Sequence, residues 1–213
     1  MKLRVSEIFQ SIQGETSYVG LPCFFVRLSG CNLKCKYCDT LYARNGGQHI
    51  SLDEILKSVE NSGGDLVCIT GGEPLLQPGT ATLAEKLISM GKEVLVETNG
   101  SKDISKLPEA AKRIVDIKTP GSGEEGSFLP TNLNLLRRDD EVKFVITSEG
   151  DSRWARECIE TYRLDELANI SFSPAHGLID PKDLAKWILM HDLPVRLNLQ
   201  IHKYIYGPET KGV

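Results

Sequence analysis

Several features that mark whole classes of protein are missing from this sequence. No apolar run approaches the roughly 18 residues of a membrane span, so we expect no membrane insertion. The N-terminal segment MKLRVSEIFQ has no hydrophobic signal core, which predicts a cytoplasmic protein. Basic residues are not in excess: the formal net charge is −4, which argues against a broad nucleic-acid-binding surface.

The remaining composition is that of an ordinary globular protein. The chain has 213 residues, of which 40% are hydrophobic and 25% charged, and this fits a single domain over residues 1–213. In a reducing compartment its six cysteines are expected to be metal ligands or buried apolar side chains rather than disulfides. Cys23, Cys68 and Cys158 lie within apolar periodic runs, which predicts that they are core residues.

Short apolar runs that alternate with helical patterns predict a parallel α/β sheet, either open or a partial barrel. Most of these runs are apolar nearly throughout, as expected for strands covered on both faces. The predicted strands are Pro22–Leu28, Leu66–Thr70, Glu93–Glu97, Ile114–Ile117, Val142–Ile146, Ile170–Ser173 and Val195–Leu199.

Four segments show the apolar spacing of helices. Ser51 to Glu54 reads as a capping box that starts the first of them, and Gly91 is placed to end the second. The predicted apolar faces are Leu52, Ile55, Leu56 and Val59; Leu83, Leu87 and Ile88; Trp154, Cys158, Ile159 and Tyr162; Leu184, Trp187, Ile188 and His191.

Polar or glycine-rich segments follow each predicted strand. Because parallel strands end at one edge of a sheet, these segments should meet there and form a ligand site. They are Cys31–Cys38, Gly71–Pro74, Thr98–Gly100, Lys118–Gly123, Ser148–Asp151, Pro174–His176 and Gln200–Lys203.

Three cysteines at CxxxCxxC spacing, Cys31, Cys35 and Cys38, dominate this edge. Three thiolates make a soft-metal site that is one ligand short of the usual four, so one coordination position stays open. An iron–sulfur cluster held in this way could be chelated by S-adenosylmethionine (SAM), which has an amine and a carboxylate and supports radical chemistry. The alternative is a zinc site completed by Cys68 or a histidine, although four-cysteine zinc sites usually come as two pairs.

The segment Gly71-Gly72-Glu73-Pro74 is the second candidate motif. Paired glycines let the backbone approach a ligand closely, and a carboxylate there could bind an ammonium group. Taken alone, GGEP is also a common turn. Its position one strand after the cysteines gives it functional meaning.

Together these motifs resemble the radical SAM superfamily, whose signature CxxxCxφC has an aromatic residue at the place of Tyr37. The resemblance implies a partial (β/α)-barrel with a parallel sheet and few helices, and a [4Fe–4S] cluster on Cys31, Cys35 and Cys38. The residues it implies for SAM binding are Tyr37, Cys38, Asp39, Gly72, Glu73, Asn99, Asp116, Ile117, Lys118, Ser173, Pro174, Ala175 and His176.

Within that superfamily the chain is similar to the 7-carboxy-7-deazaguanine synthase family. The similarity rests on Ser11–Glu15, Gly20–Cys31 and Tyr37–Thr40, and it continues to Gln200–Tyr204. It implies a lyase that contracts the ring of 6-carboxy-5,6,7,8-tetrahydropterin to 7-carboxy-7-deazaguanine with release of ammonia, in queuosine biosynthesis. SAM is regenerated in that reaction. No acid–base pair is required for hydrogen abstraction, so the sequence indicates no catalytic dyad.

The same resemblance implies further site residues. Arg27 would pair with the substrate carboxylate, and Thr40 would bind Mg²⁺ through its hydroxyl. Without that context, Arg27 reads as a surface arginine and Asp39-Thr40 as a helix cap. His49 and His191 have weaker claims to a role. The implied substrate-binding residues are Ile12, Gln13, Gly14, Glu15, Arg27, Thr70, Gln200, His202 and Pro208.

Two other functions stay open at this point. One is an activase that places a glycyl radical on another protein, and the other is a zinc-binding interaction module without catalysis. The family also implies a homodimer and an electron donor such as flavodoxin or ferredoxin, together with a small pterin substrate and no nucleic-acid or membrane partner.

Overall fold

One nine-stranded sheet organises the chain, and the computed structural model describes all of residues 1–213. The strands are β1 Lys2–Ile12, β2 Pro22–Leu28, β3 Gln48–Ser51, β4 Leu66–Gly71, β5 Glu93–Thr98, β6 Lys112–Asp116, β7 Glu141–Ile146, β8 Asn169–Pro174 and β9 Arg196–Leu197. The helices are α1 Leu52–Ser62, α2 Gly79–Ser89, α3 Glu149–Tyr162, α4 Leu164–Leu167, α5 Pro181–Met190 and α6 Ile201–Tyr206.

The sheet order is β3-β1-β2-β4-β5-β6-β7-β8-β9, and every neighbouring pair from β2 to β9 is parallel. Its two edge strands do not pair with each other, so the sheet forms a partial barrel. This confirms the predicted fold class. None of the helices is long and apolar enough to span a membrane.

The antiparallel edge was not predicted. β1 pairs antiparallel with both β2 and β3, and a β-bulge interrupts its register with β2 between Val5 and Glu7. At the opposite edge the predicted strand Val195–Leu199 shrinks to two residues, and the next residue, Asn198, donates to the Phe172 carbonyl and the Ser173 hydroxyl. The other predicted strands shift by two residues or fewer at either end.

In the four predicted helices, most residues of the predicted apolar faces are buried or partly buried. Ser51 and Glu54 form the reciprocal capping box at the start of α1. Gly91, at φ +78°, follows the end of α2 as predicted. Tyr162 departs from its predicted stripe because it lies at the end of α3, where 48% of it is exposed. His191 ends α5 and packs on the Trp187 ring, with 4.4 Å between the ring centroids.

The outer face of the sheet is apolar and packs against the helices. One cluster of 17 buried residues joins the first strands to α1 and α2, and another of 16 joins the later strands to α3 and α5. The inner face carries a smaller apolar cluster that includes Cys23 and Cys68, which confirms their predicted burial in the core. Cys158 packs on the second cluster while half-buried, and all six cysteines are free thiols.

Polarity changes along the inner face from one end of the strands to the other. Apolar Cys23 and Phe25 precede Arg27 on β2, Cys68 precedes Thr70 on β4, and Leu95 precedes Glu97 on β5. Because side chains two residues apart share a face of a strand, this pattern builds an apolar lower layer and a polar upper layer. The expectation of strands that are apolar on both faces is therefore wrong at the carboxyl ends.

Residues 13–21 close the barrel from the amino ends of the strands. The backbone and hydroxyl of Ser17 bond Glu141, the first residue of β7, and the Tyr18 hydroxyl bonds Glu93, the first residue of β5. Arg196, the first residue of β9, donates to the Thr16 carbonyl. These contacts fix a floor beneath the inner face.

Candidate active site

A cavity of about 410 Å³ lies above this floor, enclosed by the inner face of the sheet and its carboxyl-end loops. Most of the site residues inferred from sequence line it. They are Ile12, Gln13, Gly14, Glu15, Arg27, Cys31, Cys35, Tyr37, Cys38, Asp39, Thr40, Thr70, Gly72, Asn99, Asp116, Lys118, Ala175, His176, Gln200, His202 and Pro208. The fold therefore brings residues predicted to bind the cofactors and residues predicted to bind the substrate to one cavity.

Four predicted cofactor residues do not line this cavity: Glu73, Ile117, Ser173 and Pro174. Ile117 is buried in the outer core, and the Ser173 hydroxyl accepts a bond from Asn198. Pro174 lines a neighbouring cavity of about 360 Å³, which shares His176 and Gln200 with the first.

Glu73 has a different role from the direct contact predicted for its carboxylate. It is fully buried and accepts bonds from the Leu75 amide (2.9 Å), the Thr98 hydroxyl (2.8 Å) and the Asn99 amide (2.7 Å). Burial raises the pKa of Glu73, against the lowering effect of these donors. The side chain thus ties the loop after β4 to the loop after β5.

Gly71 and Gly72, which precede Glu73, allow the GGE segment to pack closely against the cysteine loop. A Cβ at Gly72 would lie 2.2 Å from the Gly30 carbonyl oxygen and 2.8 Å from the Cys31 Cβ. At Gly71, where φ is +154°, it would lie 2.2 Å from the Leu28 oxygen. The Glu73 amide donates to the Gly30 carbonyl at 2.7 Å. Glycine is therefore required here for two loops to pack backbone to backbone.

The cysteine loop is anchored on several sides. The Lys36 amide donates to the Ser122 carbonyl (2.9 Å), the Lys34 amide to the Glu124 carboxylate (2.6 Å), and Arg44 to the Cys35 carbonyl (3.3 Å). Burial raises the pKa of the Cys31 and Cys35 thiols. A cationic metal centre is accordingly needed to keep them as thiolates.

The donor set fits an iron–sulfur cluster better than a closed zinc site. Cys31, Cys35 and Cys38 come from one short loop that lines the cavity, and a closed zinc site would need a fourth ligand beside them. A [4Fe–4S] cluster held by three cysteines instead keeps one iron free for SAM. Cys68, the proposed fourth zinc ligand, is buried in the inner apolar cluster and does not line the cavity.

A network of buried charges, absent from the sequence prediction, fills the lower wall of the cavity. The Lys143 ammonium lies 2.8 Å from the Glu15 carboxylate and 3.7 Å from Asp116, which also pairs with Lys118 at 2.8 Å. Gln200 donates to the second oxygen of Glu15 at 2.7 Å. Burial would raise the pKa of Glu15, but Lys143 and Gln200 outweigh it and lower the pKa to about 2.

Arg27 faces this cavity and not the outer surface, so its reading as a surface arginine is wrong. Its Nε donates to Glu7 at 2.6 Å, and its guanidinium lies 5.8 Å from the centroid of the Phe9 ring. The Phe9 ring in turn stacks on Phe25, with 4.9 Å between their centroids. The Tyr42 hydroxyl also donates to Glu7, at 2.7 Å.

Asp39 and Thr40 precede a single 3-10 turn, Leu41–Ala43, but neither side chain caps it. Asp39 accepts a bond from Lys203 at 2.6 Å and another from the Thr40 hydroxyl at 3.3 Å, and both residues line the cavity. Although burial would raise the pKa of Asp39, Lys203 lowers it. The helix-cap reading of these two side chains is therefore wrong.

The C-terminal segment covers the cavity from above. The His202 ring packs on Gly14, where a Cβ would lie 2.0 Å from its Nδ1, and burial lowers the pKa of His202. The Lys211 ammonium lies 4.6 Å from the Tyr42 ring centroid. His49 and His191 do not line the cavity, and neither does the predicted rim segment Ser148–Asp151, which starts α3.

Several cavity residues were missed by the reading of the sequence. Six of them lie on the inner face of a strand, where period-two alternation from the neighbouring apolar residues was the signal that could have found them. They are Phe9, Phe25, Tyr42, Arg44, Glu97, Ile114, Lys143, Val145, Glu209, Thr210, Lys211, Gly212 and Val213.

Comparison with known proteins identifies the family of this chain. The family model of the radical SAM superfamily matches residues 25–123. A 7-carboxy-7-deazaguanine synthase from Koribacter versatilis is 46% identical over 99% of this chain and 100% of the relative. One from Chlorobaculum tepidum is 42% identical over 99% and 97%. The crystal structure of QueE from Escherichia coli shares the fold, with a TM-score of 0.78 at 22% identity over 93% of this chain and 94% of that one. The chain belongs to the 7-carboxy-7-deazaguanine synthase family of radical SAM enzymes.

Proposed function

We propose that this chain is a lyase that converts 6-carboxy-5,6,7,8-tetrahydropterin to 7-carboxy-7-deazaguanine, with release of ammonia, in queuosine biosynthesis. The observation that carries the proposal is the meeting of the three cysteines, the GGE loop and a charged inner face around one cavity, in a chain related to such synthases over its whole length. A cavity closed below by residues 13–21 favours a small polar substrate over the polypeptide of an activase.

The cavity divides into a cofactor side and a substrate side. Cys31, Cys35 and Cys38 would hold a [4Fe–4S] cluster, and Gly72, Asn99, Lys118 and the neighbouring cavity at Pro174 and His176 would hold SAM. When bound, cluster and SAM together supply a 5′-deoxyadenosyl radical that removes hydrogen from the substrate. The protein itself then has to position the substrate and exclude water.

The substrate side is built from the inner face and the floor. Arg27 would bind the substrate carboxylate, and Gln13, Thr70, Gln200 and His202 would bond the polar edges of the pterin. Lys143, between two carboxylates, stays protonated, and Glu15 stays ionised. Neither of them serves as a proton shuttle near pH 7, which supports a positioning role for this wall.

Further features of the proposal concern metal and partners. Thr40 offers a hydroxyl to Mg²⁺ alongside substrate oxygens and waters. A flavodoxin or ferredoxin would supply the electron, and free cysteines throughout support work in the reducing cytoplasm. A homodimer would cover apolar side chains such as Leu189 and Met190, which are 80% and 77% exposed.

Anaerobic reconstitution tests the function. We expect several iron and sulfide ions per chain, and the deazapurine product by mass spectrometry when SAM, reductant, Mg²⁺ and the tetrahydropterin are present. Cys35→Ala should lose both iron and product, whereas Cys158→Ala, outside the cavity, should keep them. Iron without deazapurine product would retain the superfamily and reject the substrate. A protein that takes up zinc but no iron would reject the enzyme.

A further inference from the structure

Glu7 is a half-buried carboxylate that lies behind the cavity and accepts a hydrogen bond from Arg27. It does not line the cavity, but Arg27 and Tyr42, which both donate to its Oε1, do. The side chains of Arg27 and Glu7 are 17% and 19% exposed. Glu7 is also the register partner of Arg27 across the β1–β2 pair.

A local irregularity of the backbone puts Glu7 on this face. Leu3 and Val5 pack into the outer core, so strict alternation along β1 would point residue 7 outward as well. The bulge between Val5 and Glu7 shifts the alternation by one residue, because after it Ile8 packs outward and Phe9 inward. β1 thus carries Glu7 and Phe9 side by side against Arg27.

The contacts leave one edge of the Arg27 guanidinium available. Its Nε is bonded to Glu7 and one face lies against Phe9, whereas neither terminal nitrogen has a hydrogen-bond partner in the protein. Those nitrogens are also not among the buried unpaired atoms, so they reach the open cavity. A planar guanidinium held in this way presents two parallel N–H donors, the geometry that binds a carboxylate bidentately.

We propose that Glu7 is the positioning residue of the substrate-carboxylate site, fixing the Nε edge of Arg27 so that its terminal nitrogens face the cavity. The inference rests on the proposed function, in which Arg27 binds that carboxylate. It explains why an acidic side chain lies beside a site for an acid: Glu7 orients the Arg27 cation without contacting the ligand. Tyr42 fixes Glu7 in turn.

The test compares two ligands at equilibrium. Dissociation constants are measured on the reconstituted, SAM-loaded enzyme without reductant, for 6-carboxytetrahydropterin and for tetrahydropterin lacking the carboxyl group. The ratio of the two constants isolates the carboxylate. In wild type the analogue should bind more weakly, so the ratio of its dissociation constant to that of the carboxylated ligand is well above one. Arg27→Ala should bring this ratio close to one, and Glu7→Ala should lower it about tenfold. Glu7→Gln, which keeps an acceptor but no charge, should lower it less. The analogue itself should bind all three variants as it binds wild type.

Controls separate positioning from folding. Glu85→Gln, on the exposed face of α2, should leave the ratio unchanged. Iron content and melting temperature should match wild type in Glu7→Gln, so that variant decides the matter if Glu7→Ala does not fold. If Arg27→Ala leaves the ratio intact, the proposed role of Arg27 fails. If Arg27→Ala removes it while both Glu7 variants keep it, the inference about Glu7 is overturned.

Discussion

At the scale of single residues, Gly14 packs so closely on His202 that it leaves no space for a Cβ atom. A Cβ at position 14 would overlap the imidazole, so Gly14→Ala has to push His202 out of the cavity. We expect substrate affinity to fall about tenfold, as when one hydrogen bond to the ligand is lost, while cluster content stays normal. Isothermal titration with substrate and an iron assay measure the two effects.

The matched control for that change is Gly64→Ala. Its added Cβ would have Ser62 Oγ as its nearest neighbour, at 3.8 Å, which is ordinary contact distance. Normal substrate binding in Gly14→Ala would contradict the close packing of His202 on this segment. A loss of iron would instead show that the whole cavity had been disturbed.

Lys143 supports a second residue-scale prediction, about stability and pH. The pKa of Glu15 is lowered to about 2 from 4.5, so its stabilising effect is complete above about pH 4.5 and is lost as the pH falls towards 2. The shift corresponds to about 3 kcal/mol. Lys143→Met leaves Glu15 and Asp116 buried without their shared cation, which should lower the free energy of unfolding at pH 7 by roughly 3–5 kcal/mol.

Urea unfolding of the cluster-free chain across that pH range provides the measurement. The wild-type free energy of unfolding should fall more steeply below pH 4.5 than that of Lys143→Met, because burial without Lys143 raises the Glu15 pKa. Lys186→Met, in an exposed pair with Asp183 on α5, is the control for losing one lysine. Parallel pH dependences in wild type and Lys143→Met would refute the assignment of the shift to Lys143.

At the scale of elements, two loops that carry the recognisable motifs depend on each other. Gly72→Ala would press a methyl group onto the Gly30 carbonyl and Cys31, so the cysteine loop must move away from the loop after β4. We expect iron and sulfide per chain to drop at least severalfold after reconstitution, since one of three ligands is displaced. Gly150→Ala, in the first turn of α3, should reconstitute fully. Full iron in Gly72→Ala would mean that the cluster does not need this packing.

How much of these elements could be predicted depends on the kind of signal. The ends of strands β2, β4, β5, β7 and β8 are predicted to within about one residue, because each strand contains several apolar residues that pack into the outer core. The cysteine and GGE motifs were found because glycine and cysteine are required there by geometry and chemistry. Lys143 and Glu97 were not, because they lie within strands whereas most of the predicted site residues lie in the segments that follow the strands; only alternation with their apolar neighbours indicates that they face the cavity.

The place of Glu7 could not be predicted from periodicity. Alternation from Leu3 and Val5 assigns it to the outer face, and only the bulge reverses that. Likewise, Glu73 reads as a ligand in the sequence because nothing there shows that Thr98 and Asn99 occupy its oxygens. The positions of Glu7 and Glu73 both depend on contacts with residues 20 or more positions away, which local sequence patterns do not encode.

At the scale of the whole molecule, the cavity is closed by segments from the two ends of the chain. Residues 13–21 form the floor, and residues from Pro208 to Val213 line the upper side, where Lys211 lies over the Tyr42 ring. Between them α6 is joined to the floor, because the Ile201 amide donates to the Gly14 carbonyl at 3.0 Å. Closure therefore depends on contacts that a barrel alone would lack.

The closed cavity leads to a prediction about how much 5′-deoxyadenosine is released for each deazapurine formed. A cation–π contact is worth about 0.5–1 kcal/mol, so Lys211→Ala should loosen the upper segment and let the external reductant reach the substrate radical. In the proposed reaction the substrate radical rearranges and SAM is regenerated, so 5′-deoxyadenosine should accumulate only when the external reductant reduces that radical first. We expect severalfold more 5′-deoxyadenosine per deazapurine from Lys211→Ala, measured by liquid chromatography, with iron content unchanged. Lys182→Ala, on the exposed start of α5, should match wild type. An unchanged ratio in Lys211→Ala would show that the upper segment does not guard the radical, leaving the fixed floor and the inner face to exclude the reductant.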